Sequence, residues 1–475
     1  MNKEQSPSQE GKTEPKPTHL DGAPTKRFFV SMLPRDIDLD DSILDLVDNC
    51  VDGAMRSRPA GRDTEQPFAG FRCDITISAE KFVIEDNCGG IPSSYLNAAF
   101  RLGRPAGDPD EKLPTIGIYG IGMKRAIFKM GKEAEVVSCS KNRAVKVRYS
   151  REWLDPNSNT WELPFEEIGN GAECGVTITI PALHESISKK FQQKSFIDQL
   201  KDKLGQHFAY IMGKGFEIRL NDAPITPVTV QLILTGQIEP FDFQTVVDGV
   251  EIKVTVGFYR NLTRQTELEE STDPDISKPG ESATDEAGIT VICNDRIVVV
   301  SDKTSITGWG VATTPRYHPQ FRAIAGLISF STANPEDLPI STTKRDLDTD
   351  SDIYRPARNA AMDGLSMCVG FTNKWKGIEE EVDGLLQRKD RVEARTVRLA
   401  VEKGRPVRGD TTGTRRYKPE LPRPERGNTR RRIAFSRDVE EINAVREHFF
   451  GNDTKKPGEV GIAAWVDTLR RVTKA

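Results

Sequence analysis

Asp45-Leu46-Val47-Asp48-Asn49-Cys50-Val51-Asp52 stands inside a longer stretch, residues 41–55, that also carries Ile43 and Leu44. Asp45, Asp48, Asn49 and Asp52 lie at offsets of zero, three, four and seven. At about 100° per residue these four polar groups share one face of a helix, and the remaining surface is apolar. A polar stripe on an otherwise buried helix is expected to face a cleft. Asn49 offers a side-chain carbonyl, which suits a hard cation such as Mg²⁺ held mainly by phosphates and water. Asp45, one turn earlier, is placed to orient or deprotonate a water that attacks a terminal phosphate. The competing reading is a surface helix with a solvated acidic stripe.

Two further segments follow in order. Phe82-Val83-Ile84 reads as a short strand, and Glu85-Asp86-Asn87-Cys88-Gly89-Gly90-Ile91 as the turn after it. A carboxylate at Asp86 can accept a hydrogen bond from an exocyclic amine such as that of adenine. Gly89 and Gly90 allow a ring to approach the backbone closely. The third segment, Gly117-Ile118-Tyr119-Gly120-Ile121-Gly122-Met123-Lys124, is a glycine-rich turn entering an apolar helix with one cation. Backbone amides there suit phosphate. Neither a Walker A loop nor a dinucleotide fingerprint is present. The one Gly-Lys-Thr, at 11–13, has Ser6 where the loop needs its first glycine. Residues 101–115, rich in Gly, Pro and charge, read as a lid over a nucleotide.

In that order and spacing, the three segments resemble the GHKL ATPase superfamily of gyrase B, heat-shock chaperones, histidine kinases and MutL. The Asp-Leu-Val-Asp-Asn and Gly-Ile-Tyr-Gly-Ile-Gly-Met-Lys runs are most similar to MORC ATPases and their bacterial relatives. The resemblance covers residues 41–181. It implies an ATP and Mg²⁺ site: Asn49 as magnesium ligand, Asp45 or Asp48 as the catalytic carboxylate, and Asp86 at the adenine. Asp52, Gly90, Ile91, Gly117, Tyr119, Gly120, Ile121, Gly122, Met123, Lys124 and Thr177 would complete the nucleotide contacts. Three departures stand out. Asp45 replaces the usual Glu, Cys88 replaces the first glycine of the adenine motif, and the late Gly-Thr pair appears as Gly175-Val176-Thr177, although residues 176–180 still read as a strand.

Related dimeric ATPases draw a γ-phosphate lysine from a following domain. Residues 326–330 read as a strand, and the polar loop after it offers Lys344, with Arg345 second. Residues 288–301 read as a hairpin turning at Asn294-Asp295. The fold class expected is α+β: a GHKL-type ATP-binding α/β sandwich, a mixed sheet with helices on one face, over 27–235. A ribosomal-S5-like transducer domain over 236–375 follows it. A polar tail (1–26), a charged helix with basic linker (376–431) and a small C-terminal module (432–475) complete the chain. Within the fourth segment, 388–403 reads as helix and 404–429 as linker. In the module, 432–436 reads as strand, with helices at 439–450 and 460–472.

At 475 residues, several domains are expected. No apolar run approaches a membrane span and no signal peptide is visible, so no membrane partner is expected. The seven cysteines form no Cys-x-x-Cys pair, which fits a reducing cytoplasm. None of the five histidines falls in the three motifs, so histidine-based catalysis is not expected. Residues 388–432 hold 16 Lys or Arg against 6 Asp or Glu, a local excess of 10 in a chain of net charge −4, which leaves the remainder at −14. Such a stretch can track a phosphate backbone or serve only solubility. Three functional readings follow: an ATP-gated homodimer acting on DNA (some bacterial relatives sit in defence systems), a chaperone-like ATPase with protein clients, and a nucleotide-binding switch with little turnover. The C-terminal module is a candidate site for a protein partner.

Overall fold

The computed structural model describes residues 25–58, 65–103, 115, 120–169, 174–264, 267, 286–341, 347–407, 413–424, 436–451 and 454–473. The polypeptide divides into two compact units, residues 1–423 and 424–475. The fold class is α+β.

The first sheet is built from β1 (Arg72–Ile77), β2 (Phe82–Asp86), β3 (Gly131–Ser140), β4 (Arg143–Tyr149), β5 (Phe165–Ile168), β6 (Gly175–Leu183), β7 (Glu217–Leu220) and β8 (Ala223–Pro224). Its order is β5-β4-β3-β6-β2-β1-β7-β8, with β1 and β7 parallel and the other pairs antiparallel. Strand β1 shows the expected alternation: Cys73, Ile75 and Ile77 are buried, and their neighbours are not. The buried face meets α1 (Leu39–Ser57), α3 (Gly122–Met130), α4 (Glu185–Phe191) and α5 (Lys194–His207) in one apolar cluster. The short helices α2 (Leu96–Phe100) and α6 (Ala209–Gly213) lie between these elements in the chain. Helix α1 packs against α3 and β1. Asp40 and Asp41 in its first turn complement the positive end of the helix, and Lys203 of α5 pairs with both. Between Asp41 and Met55 every residue of α1 is buried except Asn49.

The second sheet runs in the order β13-β12-β14-β11-β10-β17-β16. Its strands are β10 (Phe241–Val247), β11 (Val250–Phe258), β12 (Gly288–Cys293), β13 (Arg296–Asp302), β14 (Ile324–Ser331), β16 (Arg405–Pro406) and β17 (Arg415–Tyr417). A separate pair joins β9 (Gln231–Ile233) to β15 (Arg391–Glu393). Helix α7 (Tyr354–Lys374) packs on β11, β14 and β10. The β12–β13 hairpin turns at Asn294 and Asp295, whose φ values of 47° and 71° give the left-handed turn that suits a two-residue hairpin. Strand β12 is buried along its whole length. Ile292, Ile297, Ala325 and Leu327 meet Ala209 and Tyr210 of α6, so an apolar cluster joins the second sheet to the first layer of helices.

The basic segment departs from expectation. Residues 388–403 are not one helix: a short turn at Arg388–Asp390, strand β15, a second turn at Ala394–Thr396 and a four-residue helix α8 (Leu399–Glu402) occupy it. Within 404–429, β16 and β17 extend the second sheet instead of forming a linker. Tertiary anchors override local helix propensity here. Lys253 donates to the carbonyls of Arg395 and Val397, and the amide of Ala400 donates to buried Asp242 at 2.7 Å. The expected strand at 432–436 falls almost wholly outside the described residues. In the second unit, α9 (Val439–Phe450) and α10 (Pro457–Thr473) agree with the expected helices to within a turn. All seven cysteines are free. Among the described residues no helix is long and apolar enough to cross a membrane.

Candidate nucleotide site

A cavity opens between α1, the end of β2, the first turn of α3 and β6. Asn49 and Asp52 reach it from α1, with Asp45 one turn earlier. Asp86 and Ile91 line it after β2, and Gly120 to Lys124 line it from the start of α3. Ten of the expected site residues therefore meet in one place, although the chain separates them by up to 79 positions.

At one end, Asp86 accepts the amide of Cys88 at 2.8 Å and that of Val176 at 3.3 Å. Burial dominates its titration and raises its pKa to about 6. Cys88 is outside the left-handed region, so a side chain there carries no backbone strain. Gly90 differs: its φ is 71°, and a Cβ there would lie 2.1 Å from the carbonyl oxygen of Cys139. Gly90 thus closes the turn against β3, does not line the cavity, and lets Ile91 donate to Ser138 at 2.8 Å.

At the other end, α3 begins at Gly122, with Ile121 at its N-cap position. Lys124 is buried and donates to the carbonyl of Ala99 at 2.8 Å. Desolvation lowers its pKa to about 7. Arg125 follows, and its Nη2 donates to Asp45 Oδ2 at 2.6 Å, both side chains being under a tenth exposed. Gly122 makes room for this carboxylate: a Cβ there would sit 3.4 Å from Asp45 Oδ2.

Besides Gly90, two expected contacts are corrected. Asp48 does not line the cavity. It is fully buried on another side of α1, where Arg296 Nε donates to it at 2.8 Å. Arg296 Nη1 donates to the carbonyls of His207 and Ile297, and the guanidinium lies 4.2 Å from the Phe208 ring centroid. Burial first, and Arg296 second, lower the pKa of His207 to about 3, so it stays neutral. Thr177 is also absent from the lining. Val176 and Ile178 face the cavity from β6, and strand alternation turns Thr177 to the other face. Gly117, Tyr119, Lys344 and Arg345 lie outside the described residues.

The motifs did not reveal Arg56, Tyr95 or Arg125, all of which line the cavity. Arg56 lies four residues after Asp52 on α1, a spacing that was available in the sequence. Its guanidinium is 5.7 Å from the Tyr95 ring centroid. Arg296, by contrast, had no local signal: its partner lies 248 positions away.

This arrangement can hold a nucleotide. A buried carboxylate at one end suits an exocyclic amine. A helix N-terminus with a buried lysine at the other suits phosphates. No curated protein matches the chain. Residues 37–170 match the family described as histidine kinase-, DNA gyrase B-, and HSP90-like ATPase. The match runs from the residue before Asp38 and α1 through β5, and supports that superfamily for the segment that builds most of the cavity.

Proposed function

We propose that the chain binds Mg²⁺-ATP in this cavity and hydrolyses it as a nucleotide-gated dimer that acts on DNA, in the manner of MORC-like ATPases. The meeting of Asn49, Asp86 and the α3 N-terminus in one cavity carries the reading. Asp86 accepts the adenine amine. Amides of the α3 start and Lys124 hold the phosphates. Asn49 fits Mg²⁺ because it brings an uncharged oxygen donor and is the exposed residue of an otherwise buried stretch of α1. When bound, Mg²⁺ neutralises phosphate charge. Asp45 is the carboxylate nearest the phosphate end. It orients a water whose oxygen bonds to the γ-phosphorus while the bond to the β-bridging oxygen breaks; ADP leaves, and the water's proton passes to Asp45. Exposed Arg405 and Arg415 at the β16–β17 edge support a polyanionic client.

A second reading, a nucleotide-binding switch with little turnover, is favoured by the Arg125–Asp45 ion pair, which occupies the carboxylate the reaction needs. One experiment separates the two readings: Mg²⁺-ATP turnover per protomer over a wide range of protein concentration, with and without duplex DNA. Asn49→Ala is the control, expected to lose magnesium-dependent binding. A rate that climbs with concentration and saturates is the expected result. Tight binding with no turnover at any concentration would leave the switch. A rate indifferent to DNA, with no salt-dependent DNA binding, would remove the DNA client.

A further inference from the structure

Lys124 and Arg125 enter the same end of the cavity, and the chemistry above uses the first of them. Arg125 is 5 % exposed and lines the cavity. Its side chain donates to Asp45, while its Nε is buried with no hydrogen-bond partner among the described residues. A guanidinium presents five N–H donors in one plane. Arg296, the other deeply buried arginine among the described residues, shows what a structural pairing looks like here: it distributes its donors over Asp48 and two backbone carbonyls, above an aromatic ring. Arg125 has one carboxylate and a buried Nε–H with no partner among the described residues, in a side chain that belongs to the cavity lining.

The position of Asp45 adds a second observation. A Cβ built on Gly122, the first residue of α3, would lie 3.4 Å from Asp45 Oδ2. Amides and dipole at that helix end favour an anion, and a carboxylate stands beside it. A terminal phosphate entering the cavity would compete with Asp45 for both the helix end and the guanidinium. Phosphate offers more acceptor oxygens and more charge than a carboxylate, and arginine engages it through two parallel bonds.

We infer that Arg125 senses the terminal phosphate: its guanidinium leaves Asp45 for the γ-phosphate of a nucleoside triphosphate and returns to Asp45 when only the diphosphate remains. The inference rests on the reading of the cavity as an ATP site. It makes Arg125 the residue that distinguishes ATP from ADP. It also frees Asp45 to take a proton only when the group to be transferred is present.

The test is calorimetric titration of the full chain with a magnesium complex of non-hydrolysable ATP analogue, and separately with Mg²⁺-ADP. Arg125→Met keeps the side-chain bulk and removes the charge. It should weaken the triphosphate about tenfold or more while leaving the diphosphate within about twofold. Asp45→Asn, which removes the competing carboxylate, should tighten the triphosphate. Arg125→Met alone leaves Asp45 buried without its partner and can compromise folding. The double variant Asp45→Asn/Arg125→Met removes both charges and should fold while still lacking the preference for triphosphate. An unchanged triphosphate-to-diphosphate ratio in the folded double variant, or equal losses for both ligands, would overturn the inference. Failure of the wild-type chain to bind either nucleotide would overturn the ATP reading itself.

Discussion

Asp86 and Lys124 sit at opposite ends of one cavity, and burial moves their titrations toward each other. The pKa of Asp86 rises to about 6, and that of Lys124 falls to about 7. Unfolded, the aspartate loses its proton near 4 and the lysine near 10. Between about 4 and 6 the folded chain therefore holds a proton the unfolded chain has released, and Asp86 makes stability fall as pH rises. Between about 7 and 10 the unfolded chain holds the extra proton, and Lys124 makes stability rise with pH. Ligand reverses both shifts, because an adenine amine favours the carboxylate and phosphate favours the ammonium. Mg²⁺-ATP affinity should peak between about pH 6 and pH 7 and fall by up to about tenfold per unit on either side. Calorimetry in buffers of different ionisation enthalpy should show proton release on binding near pH 5 and proton uptake near pH 8. Asp86→Asn should remove the acidic limb alone; an acidic limb that survives in that variant would refute the assignment.

At the scale of elements, the β12–β13 hairpin reaches α1 through one side chain. Arg296 meets Asp48, the residue before Asn49, and Asp295 pairs with Lys214 and Arg395. The exposed flanks of these pairs add little. The Asp48–Arg296 pair is under a tenth exposed, and removing Arg296 takes its cation from a buried carboxylate. Arg296→Met should lower unfolding free energy by about 3–5 kcal/mol. Adding Asp48→Leu should recover much of that loss, because two apolar groups can replace a buried pair. Urea unfolding checks both, and a double variant no more stable than the single would show that the pair is not the cause. The same element shows what helical spacing can establish. The amphipathic pattern of 41–55 was enough to find α1 and to set Asn49 facing a cleft. It placed Asp48 on the same face, whereas in the fold Asp48 lies outside the cavity lining and meets Arg296 of the hairpin. Strand β6 repeats the lesson: its existence was legible, but which of Val176 and Thr177 faces the cavity followed from its register with β2 and β3.

Across the whole molecule, residues 1–423 form one compact unit and the helices α9 and α10 belong to another. The apolar cluster of Ala209, Tyr210, Ile292 and Leu327 gives the first unit its internal joint. A chain ending at residue 423 should keep the wild-type melting temperature within about 2–4 °C and bind nucleotide with unchanged affinity. Calorimetric melting and titration check this, and loss of nucleotide binding on truncation would show that residues 424–475 complete the site. In the second unit, Ile462, Trp465, Leu469 and Val472 of α10 are exposed.

Local sequence determined what local physics can determine. Apolar periodicity gave α1, a short apolar run gave β2, alternation gave β6, and turn residues Asn294-Asp295 gave the β12–β13 hairpin. The order of three motifs was enough to group Asn49, Asp86 and Lys124 in one site. Tertiary structure decided which neighbour each charge has. Arg125 takes Asp45 across 80 positions, Arg296 takes Asp48 across 248, and Arg405–Pro406 and Arg415–Tyr417 join the second sheet where the charge pattern suggested a linker. The reason is energetic. A buried charge must find its partner wherever the fold brings one within reach, and the desolvation that enforces this exists only once the chain is packed.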